Sequence, residues 1–450
     1  MKDACRRIKR VSMEVTGKTL FVVFMFFSLA MISFSEAHAE ILTLPEGLRL
    51  AAERSRIIKI AESEELISES DAMIARSKML PEINAFLSQT SLAHQPAAVF
   101  GPQTVPVSER NFLSYSLNIQ QTLFDFKGNA SRYGASKAIL NSKKLDTKRL
   151  RNLVAIDFVL AYLDLLEAEK MLAVADKEVE RLESHLHVAK SLYDEGVITK
   201  NDLLQAEVKI SDARQRLLTA KSLRKINASR LNNILQRPLL AEIEIMDING
   251  LSADITDIDL EKAWEIAEKD RAEVQIVNET LRSLDMEETA KRSEYFPKLF
   301  LKGSYDYTEN RYQVHEGNWS LSLGMGINLF RGGSTRGEIL KLEFQKEKLL
   351  EQKNKLIDEI KLEVEKYMLD IRTARERVAV TGNAVQQAEE NLRINRIKYE
   401  EGVGTATDVL DAVSLLTVAE TNYHRSIYDL RKAEAAALYA TGKELLEVYK

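Results

Sequence analysis

Residue types that could do chemistry are sparse in this sequence of 450 residues. His185 and His187 stand two residues apart, and on a helix that spacing does not put both rings on one face to bind a metal. The Gly-Lys-Thr run at residues 17–19 lacks the upstream glycine of a phosphate-binding loop. No nucleophile elbow or zinc-protease motif occurs. We therefore predict no enzyme activity, no cofactor and no metal site.

Two aspartates form the most suggestive polar pair. Asp408 and Asp411 are three residues apart, so on a helix they would share one face. If copies of the chain placed this face around a common axis, the carboxylates would form a ring that favours cations and repels anions. The alternative is that Asp408 only caps the start of its helix and that Asp411 is a solvated surface charge.

The element that must position this pair is the second of two helical turns with the same design. Each has a glycine followed by a threonine and an aspartate: Gly196, Thr199 and Asp202, then Gly402, Thr405 and Asp408. A glycine just past a helix end adopts the left-handed conformation at little cost. A threonine three residues before an acidic residue is typical of a capping box that opens the next helix. A well-built helix turn is therefore the simple interpretation, and a functional tip is the other.

These turns belong to a tandem duplication. The segment YDEGVITKNDLLQA at 193–206 matches YEEGVGTATDVLDA at 399–412, whereas Thr43-Leu44 matches Asp259-Leu260 at an offset ten residues larger. The excess falls between about 91 and 112, and loops absorb such changes most easily. We predict a first structural repeat at 40–236, with a hairpin tip at about 193–202. A linker at 237–256 and a second repeat at 257–450, with a tip at about 399–408, complete the chain.

Each repeat is predicted to run helix, strand, strand, very long helix, helix. The strands are expected at about 81–90 and 111–124, then at about 298–308 and 318–330. Large apolar residues alternate with small polar ones, as in the series Trp319, Leu321, Leu323, Met325 and Ile327. Such alternation indicates strands that are apolar toward lipid and polar toward a lumen. A soluble sheet with one face on a core is the alternative.

Four strands cannot close a barrel, and an open sheet in lipid would leave backbone groups unpaired at a cost of several kcal/mol each. The chain must therefore combine strands with copies of itself. Two copies would give a small barrel filled with side chains, and three would give twelve strands with room for a lumen.

The third helix of each repeat is predicted at about 130–192 and 336–398, each roughly 90 Å long at 1.5 Å per residue. Spacings of three and four residues indicate a coiled-coil seam. Its members are Val179, Leu182, Leu186, Ala189 and Tyr193, then Val385, Ala388, Leu392, Asn395 and Tyr399, and in the last helix Val409, Ala412, Leu416, Ala419 and Tyr423.

The N-terminus predicts export. Basic residues precede an apolar run from Thr19 to Phe34, and Ala37-His38-Ala39 supplies the small residues of a cleavage site. Residues 1–39 are therefore predicted to be a signal peptide, with a membrane anchor as the alternative. The single cysteine, Cys5, lies inside it, so the mature chain would form no disulfide. A mildly acidic exported chain is a poor candidate for binding nucleic acid.

The chain resembles the TolC-like outer-membrane efflux protein family over about residues 42–442. The two tip segments carry most of the resemblance, together with the openings LTLPEGLRLAAE and IDLEKAWEIAEK. The resemblance implies a mostly α protein with a transmembrane β-barrel portion: a homotrimer whose twelve-stranded barrel lies in outer-membrane lipid. A long α-helical barrel would extend into the periplasm, girdled by a small equatorial domain from about 237–256 and the C-terminus.

The resemblance also implies a role as the exit duct of a tripartite efflux pump or a type I secretion system, without catalysis. The tips would face a periplasmic adaptor and an inner-membrane pump. Tyr399 and Asp202 correspond to residues that link inner and outer coiled coils at the closed entrance, and Asp408 and Asp411 correspond to an acidic selectivity ring. Gly404 departs from the family's best-known member, which has a gate arginine there.

The entrance residues predicted from the two tips are Tyr193, Gly196, Thr199, Asp202, Tyr399, Gly402, Gly404 and Thr405. Two competing hypotheses remain at this stage. A periplasmic adaptor would carry one helical hairpin between β-domain halves, rather than two hairpins in tandem. A soluble coiled-coil scaffold would stay in the aqueous fraction after lysis.

Overall fold

The computed structural model describes residues 41–248 and 259–449. Contacts divide the chain into two units, and the described part of the smaller one comprises residues 41–42 and Glu242–Glu244. Within it the Leu42 amide donates to the Glu244 carbonyl at 2.9 Å. The larger unit, Thr43–Ala241 and Ile245–Lys450, holds all the helices and strands below. The predicted signal peptide, and residues 249–256 of the predicted linker, lie outside the described residues.

The order of elements confirms the predicted duplication. The first repeat contains α1 (Leu44–Arg54), α2 (Arg56–Ser77), β1 (Glu82–Ser91), β2 (Ala97–Phe100), β3 (Gln103–Pro106), β4 (Asn111–Phe124), α3 (Gly128–Asp194) and α4 (Lys200–Ile234). The second contains α5 (Leu260–Asp270), α6 (Ala272–Arg292), a 3₁₀ turn (Ser293–Tyr295), β5 (Lys298–Thr308), β6 (Gly317–Gly326), α7 (Ser334–Glu400) and α8 (Ala406–Ala440), followed by α9 (Leu445–Val448).

The first helix of each repeat is interrupted, which the sequence did not predict. Ser55 separates α1 from α2 with an extended ψ of 125°, and its hydroxyl accepts the Ile58 amide. The matching residue, Arg271, separates α5 from α6 with a ψ of 122°. Its guanidinium pairs with Glu273 and Glu363. Helical periodicity continues across both breaks, so the pattern of apolar residues hides them.

Four strands form one antiparallel sheet in the order β1-β4-β5-β6. The register places Leu117 opposite Tyr305, and Tyr305 opposite Trp319, so one face is apolar across the sheet. The other face is mostly polar: the Ser88 and Ser114 hydroxyls lie 2.8 Å apart, as do those of Ser304 and Ser320. The predicted alternation therefore describes two chemically distinct faces of a single sheet.

The last strand ends earlier than predicted. β6 stops at Gly326, not at about 330, because its final partner is Lys298, where β5 begins. Pro297 precedes that residue and cannot donate to a ladder. Leu329 and Phe330 continue the apolar composition, but they have no strand beside them within the described residues.

Three phenylalanines interrupt the polar face. Phe86 pairs with Ser116 on that face, Phe112 pairs with Thr90, and Phe300 pairs with Gly324. A Cβ at Gly324 would lie 2.5 Å from Cζ of Phe300. The ring therefore covers the space that glycine leaves open, which explains why this strand position has no side chain.

The ten-residue excess of the first repeat folds into an extra hairpin. β2 and β3 pair antiparallel, with Phe100 opposite Gln103 and Gly101 in the turn at φ +60°. Val99 and Phe100 at its end are exposed. The segment carries prolines and a glycine, so the sequence predicted only a loop.

One long helical hairpin completes each repeat. α3 and α7 contain 67 residues each, about 100 Å at 1.5 Å per residue, and α4 and α8 contain 35 residues each. We call α3 with α4 the first hairpin and α7 with α8 the second hairpin. Of the helices in the described ranges, none has the length and apolarity to cross a bilayer.

The end of the chain is fastened to the middle of α3. The Asn152 side chain donates to the Lys443 carbonyl at 2.9 Å and accepts the Leu445 amide at 3.0 Å. On the same helix the Tyr162 hydroxyl donates to the Met246 carbonyl. These contacts bring α9 and Met246, a residue just past the first repeat, onto α3. The equatorial domain that the family resemblance implies from about 237–256 and the C-terminus stays a prediction.

Candidate functional site

Each hairpin turns in a Schellman motif centred on its predicted glycine. In the first tip the Val197 amide donates to the Leu192 carbonyl at 2.8 Å, and Gly196 has a φ of +74°. In the second tip the Val403 amide donates to the Lys398 carbonyl at 2.9 Å, and Gly402 has a φ of +75°. The left-handed conformation of each glycine therefore allows the following amide to bond to a carbonyl at the helix end. Other residues adopt that conformation only at a cost.

The predicted capping boxes are present at both tips. Asp202 accepts the Thr199 amide at 3.0 Å and the Thr199 hydroxyl at 2.7 Å. Asp408 accepts the same two groups of Thr405 at 3.0 and 2.7 Å. These bonds hold the pKa of Asp408 below its usual value, chiefly through the Thr405 hydroxyl. Asp408 is thus a capping residue whose bonds to Thr405 favour its charged form.

Asp411 is exposed one turn further along α8. Its counterpart in the first repeat is Gln205, whose side-chain oxygen accepts the Thr407 hydroxyl at 3.4 Å. The amide thus links the starts of α4 and α8, whereas Asp411 makes no ion pair or side-chain hydrogen bond among the described residues. The second repeat alone therefore presents two carboxylates at this level.

Gly404 has a steric reason to lack a side chain. A Cβ there would lie 3.1 Å from the backbone carbon of Lys398 and from the amide nitrogen of Tyr399. The Gly404 amide also donates to the Lys398 carbonyl at 2.9 Å. The second tip is folded so closely onto the end of α7 that a longer residue would need the turn to move.

The two tip tyrosines have different environments. Tyr399 is 4% exposed, whereas the matching Tyr193 is 38% exposed. Burial, with Asp202 nearby, raises the pKa of Tyr399. Its hydroxyl nevertheless has no hydrogen-bond partner among the described residues, and the Asp202 carboxylate instead accepts the Thr199 hydroxyl. The expected link between Tyr399 and Asp202 is not formed in this chain.

A buried cluster beneath the tips joins the hairpins along much of the predicted seam. It contains Val179, Leu182, Ala388, Leu392, Tyr399, Val409, Ala412, Leu416 and Ala419. The ion pairs around it are not predictable from the periodicity of the helices. Arg181 binds Glu420 of the second hairpin through two bonds of 2.8 and 2.7 Å. Arg216 binds Glu178 within the first hairpin at 3.1 and 2.8 Å.

These pairs could have been suspected from charges on the inner helix faces, but their partners depend on how the hairpins meet. The sequence suggests no role for His185 other than as half of a metal site with His187. The structure buries His185 beside Tyr399 and leaves His187 exposed. Across residues 41–248 and 259–449, no group of three or more ligating side chains is placed to hold a metal ion.

The architecture is that of an outer-membrane channel protein. VceC, an outer membrane protein of Vibrio cholerae, superposes with a TM-score of 0.79 at 17% identity, over 89% of this chain and 96% of the other. The model of the family described as outer membrane efflux protein matches residues 47–236 and 267–443. The chain belongs to this family, which confirms the predicted class of channel protein over an adaptor, a scaffold or an enzyme.

The relatives that are similar in sequence include a nodulation protein and a protease secretion protein. Nodulation protein T of Rhizobium leguminosarum bv. trifolii is 21% identical over 307 residues, covering 64% of this chain and 62% of the relative. The alkaline protease secretion protein AprF of Pseudomonas aeruginosa is 22% identical over 347 residues, covering 74% and 71%. The chain thus matches less than two thirds of the nodulation protein's length.

Proposed function

We propose that this chain is the passive exit duct of a tripartite efflux pump or a type I secretion system, and that it works as a homotrimer in outer-membrane lipid. The observation that carries the proposal is the four-stranded sheet with two unpaired edges. β1 and β6 each pair on one side only within the described residues. Family membership and a relative named for protease secretion support export, and the partner pump would set the substrate.

The two unpaired edge strands, β1 and β6, could pair with each other between neighbouring copies of the chain. β1 and β6 contain ten residues each. Neighbouring strands alternate in direction through the sheet, so β6 of one copy would meet β1 of the next antiparallel. Ten residues match the length that a tilted membrane strand needs. Three copies would close twelve strands around a lumen and satisfy every edge, whereas two would close a barrel filled by side chains.

The apolar face of the sheet is arranged for lipid. Leu87, Trp319, Leu321, Leu323 and Met325 are 65–77% exposed in the single chain. Exposing so large an apolar face to water would be unfavourable and would promote aggregation. The hydroxyl-rich opposite face would then line the lumen, with Asp306 accepting a 2.7 Å bond from Ser304.

An apolar stripe on α2 supports contact between helices of neighbouring copies. Ile60, Ile67 and Ile74 recur every seven residues and are 56–64% exposed. A heptad stripe normally packs against another helix. The partner that fits best is a second copy of this chain, because closing the barrels would bring the helices of adjacent chains together.

The entrance would lie at the hairpin tips. Its proposed residues are Tyr193, Gly196, Thr199, Asp202, Tyr399, Gly402, Gly404 and Thr405, with Asp408 and Asp411 as the acidic ring. A periplasmic adaptor would bind around these tips and join the duct to an inner-membrane pump. The signal peptide at 1–39 would be removed during export, which would leave the helical hairpins in the periplasm.

A pair of neighbouring substitutions tests the sheet's role. Leu321→Lys puts a charge on the apolar face near the middle of β6, where a lipid-facing lysine costs about 2–4 kcal/mol. Ser322→Lys puts the same charge on the polar face. We expect Leu321→Lys to abolish assembly into the outer membrane and Ser322→Lys to assemble and alter ion preference in planar bilayers. Equal tolerance of both, or no conductance from the wild type, would refute the proposal.

A further inference from the structure

His185 and Tyr399 meet where the two hairpins pack together near their tips. His185 lies on α3 and Tyr399 at the end of α7. Their ring centroids are 5.1 Å apart and the ring planes are inclined by 48°. Both are almost fully buried, at 6% and 4% exposure. The contact therefore connects one hairpin to the other at the level of the proposed entrance.

Both side chains hold a buried polar atom that lacks a partner. His185 Nε2 and the Tyr399 hydroxyl have no hydrogen-bond partner among the described residues. Buried polar groups are normally paired, and each exception calls for an explanation. Separating the hairpins would let water reach both atoms, so this contact opposes the packing that the surrounding apolar cluster favours.

The residues that correspond to His185 and Tyr399 in the other repeat do not form an equivalent buried contact. The counterpart of His185 is Asn391, which is exposed and accepts an amide bond from Asn395. The counterpart of Tyr399 is Tyr193, which is also exposed. The first repeat's histidine and the second repeat's tyrosine are thus buried together, whereas their equivalents are not.

The charged groups around His185 oppose a proton on its ring or are already paired. From α7, Arg396 donates to the Ser184 hydroxyl at 3.2 Å, next to His185. On α3 itself, Arg181 is bound to Glu420 of α8 and Glu183 is bound to Arg214 of α4.

The negative charge of Asp202, at the start of α4, helps to raise the pKa of Tyr399. None of these carboxylates bonds to His185 within the described residues. Burial, assisted by Arg396, lowers the pKa of His185 to about 4, so the packed imidazole is neutral at neutral pH.

We propose that His185 is a proton-sensitive element of the entrance, whose protonation loosens the contact between the first and second hairpins beside Tyr399. The inference rests on the proposed channel function. A histidine freed from the contact would titrate near 6.5. The packed arrangement binds fewer protons, so its stability is complete above about pH 6.5 and is lost as the pH falls toward 4. At pH 5 the balance should shift roughly 30-fold toward the loosened arrangement.

Hydrogen exchange tests the loosening without requiring conduction. The full chain in detergent is compared at pH 7.5 and pH 5.0, with rates corrected for intrinsic exchange, in the segments 179–193 and 392–404. His185→Asn introduces the residue of the sister hairpin, and His187→Asn is the matched exposed control. We expect protection to fall at least tenfold at pH 5.0 in the wild type and in His187→Asn. His185→Asn should show no such fall.

Planar-bilayer recordings of the same proteins test the consequence for the entrance. The open fraction should rise between pH 7.5 and 5.0 in the wild type and in His187→Asn, but not in His185→Asn or in His185→Leu, which guards against a folding defect in one variant. Equal pH responses in all variants, or an exchange effect with unchanged conductance, would overturn the proposal. Absence of conductance at every pH would instead refute the channel function, and the exchange result would still stand.

Discussion

Asp408 and Asp411 stand one turn apart on α8, but their carboxylates have different contacts. Asp408 is bound to Thr405 at the start of the helix, and Asp411 is exposed without an ion pair in the described chain. In a threefold assembly both would add charge to the narrow end of the duct. Only Asp408, however, would also affect the fold of the tip.

We predict that Asp411→Asn lowers cation preference in planar-bilayer reversal potentials without changing trimer assembly. The double substitution, Asp408→Asn with Asp411→Asn, should lower it further and relieve block by trivalent cations, because both carboxylates would be lost. Asp202→Asn is the matched control, since it weakens the same kind of cap in the other tip. Unchanged selectivity and block in the double variant would mean that the two aspartates serve only the helix turn.

Tyr399→Phe tests whether the Tyr399 hydroxyl forms a hydrogen bond to Asp202 at the entrance. The Tyr399 hydroxyl is buried without a partner in the described chain, so removing it should not loosen the packed tip. We predict an open fraction at pH 7.5 that is unchanged or reduced, and Tyr193→Phe at the exposed counterpart should have no effect. A clear increase in the open fraction of Tyr399→Phe would show that the hydroxyl is bonded to Asp202 in the assembled channel.

At this scale, the sequence predicted what depends on neighbours in the chain. Gly196, Gly402 and the two capping boxes follow from local backbone rules, and the structure contains them all. The contact between His185 and Tyr399 joins residues far apart in sequence, and no periodicity reveals it. The crowding at Gly404 likewise depends on how the turn folds back onto α7.

The hairpins owe their association to apolar seams and to a few buried charges. Glu420 is 7% exposed and receives both bonds from Arg181 across the hairpin contact. Removing one partner of such a pair leaves an uncompensated charge, whereas replacing both with apolar residues is often neutral.

Arg181→Met should therefore destabilise the hairpin contact by about 2 kcal/mol, below the range for a fully buried pair because Arg181 is partly exposed. Adding Glu420→Leu should recover most of that loss. Urea unfolding followed by circular dichroism measures both, with Arg214→Met at the exposed pair to Glu183 as the control. If the double variant is no more stable than Arg181→Met alone, the desolvated charge is not the cause.

The sequence predicted an element boundary correctly where the pattern of apolar residues ends there. It did not predict a boundary that is set by the length of the partner strand. β5 begins and ends where the alternation does, but β6 stops when its partner strand runs out. The breaks at Ser55 and Arg271 lie inside continuous helical patterns. The β2-β3 hairpin is too short for periodicity to separate it from a loop.

At the scale of the whole molecule, two surfaces of the single chain have no partner among the described residues. The sheet has free edges at β1 and β6, and α2 displays an apolar heptad stripe. The internal duplication was readable because the one change in offset is confined to the β2-β3 hairpin between β1 and β4, which left both tip segments aligned. The number of copies cannot be read from one chain's periodicity, since it depends on edge closure and lumen size.

The most direct test of the account is the mass of the particle extracted intact from the outer membrane in detergent. Native mass spectrometry should give three times the mass of the mature chain, and an N-terminal read should begin at Glu40. Three copies are expected because twelve strands close the edges and leave a lumen. A monomer, a dimer, or protein recovered in the aqueous fraction after lysis would contradict the trimeric outer-membrane duct.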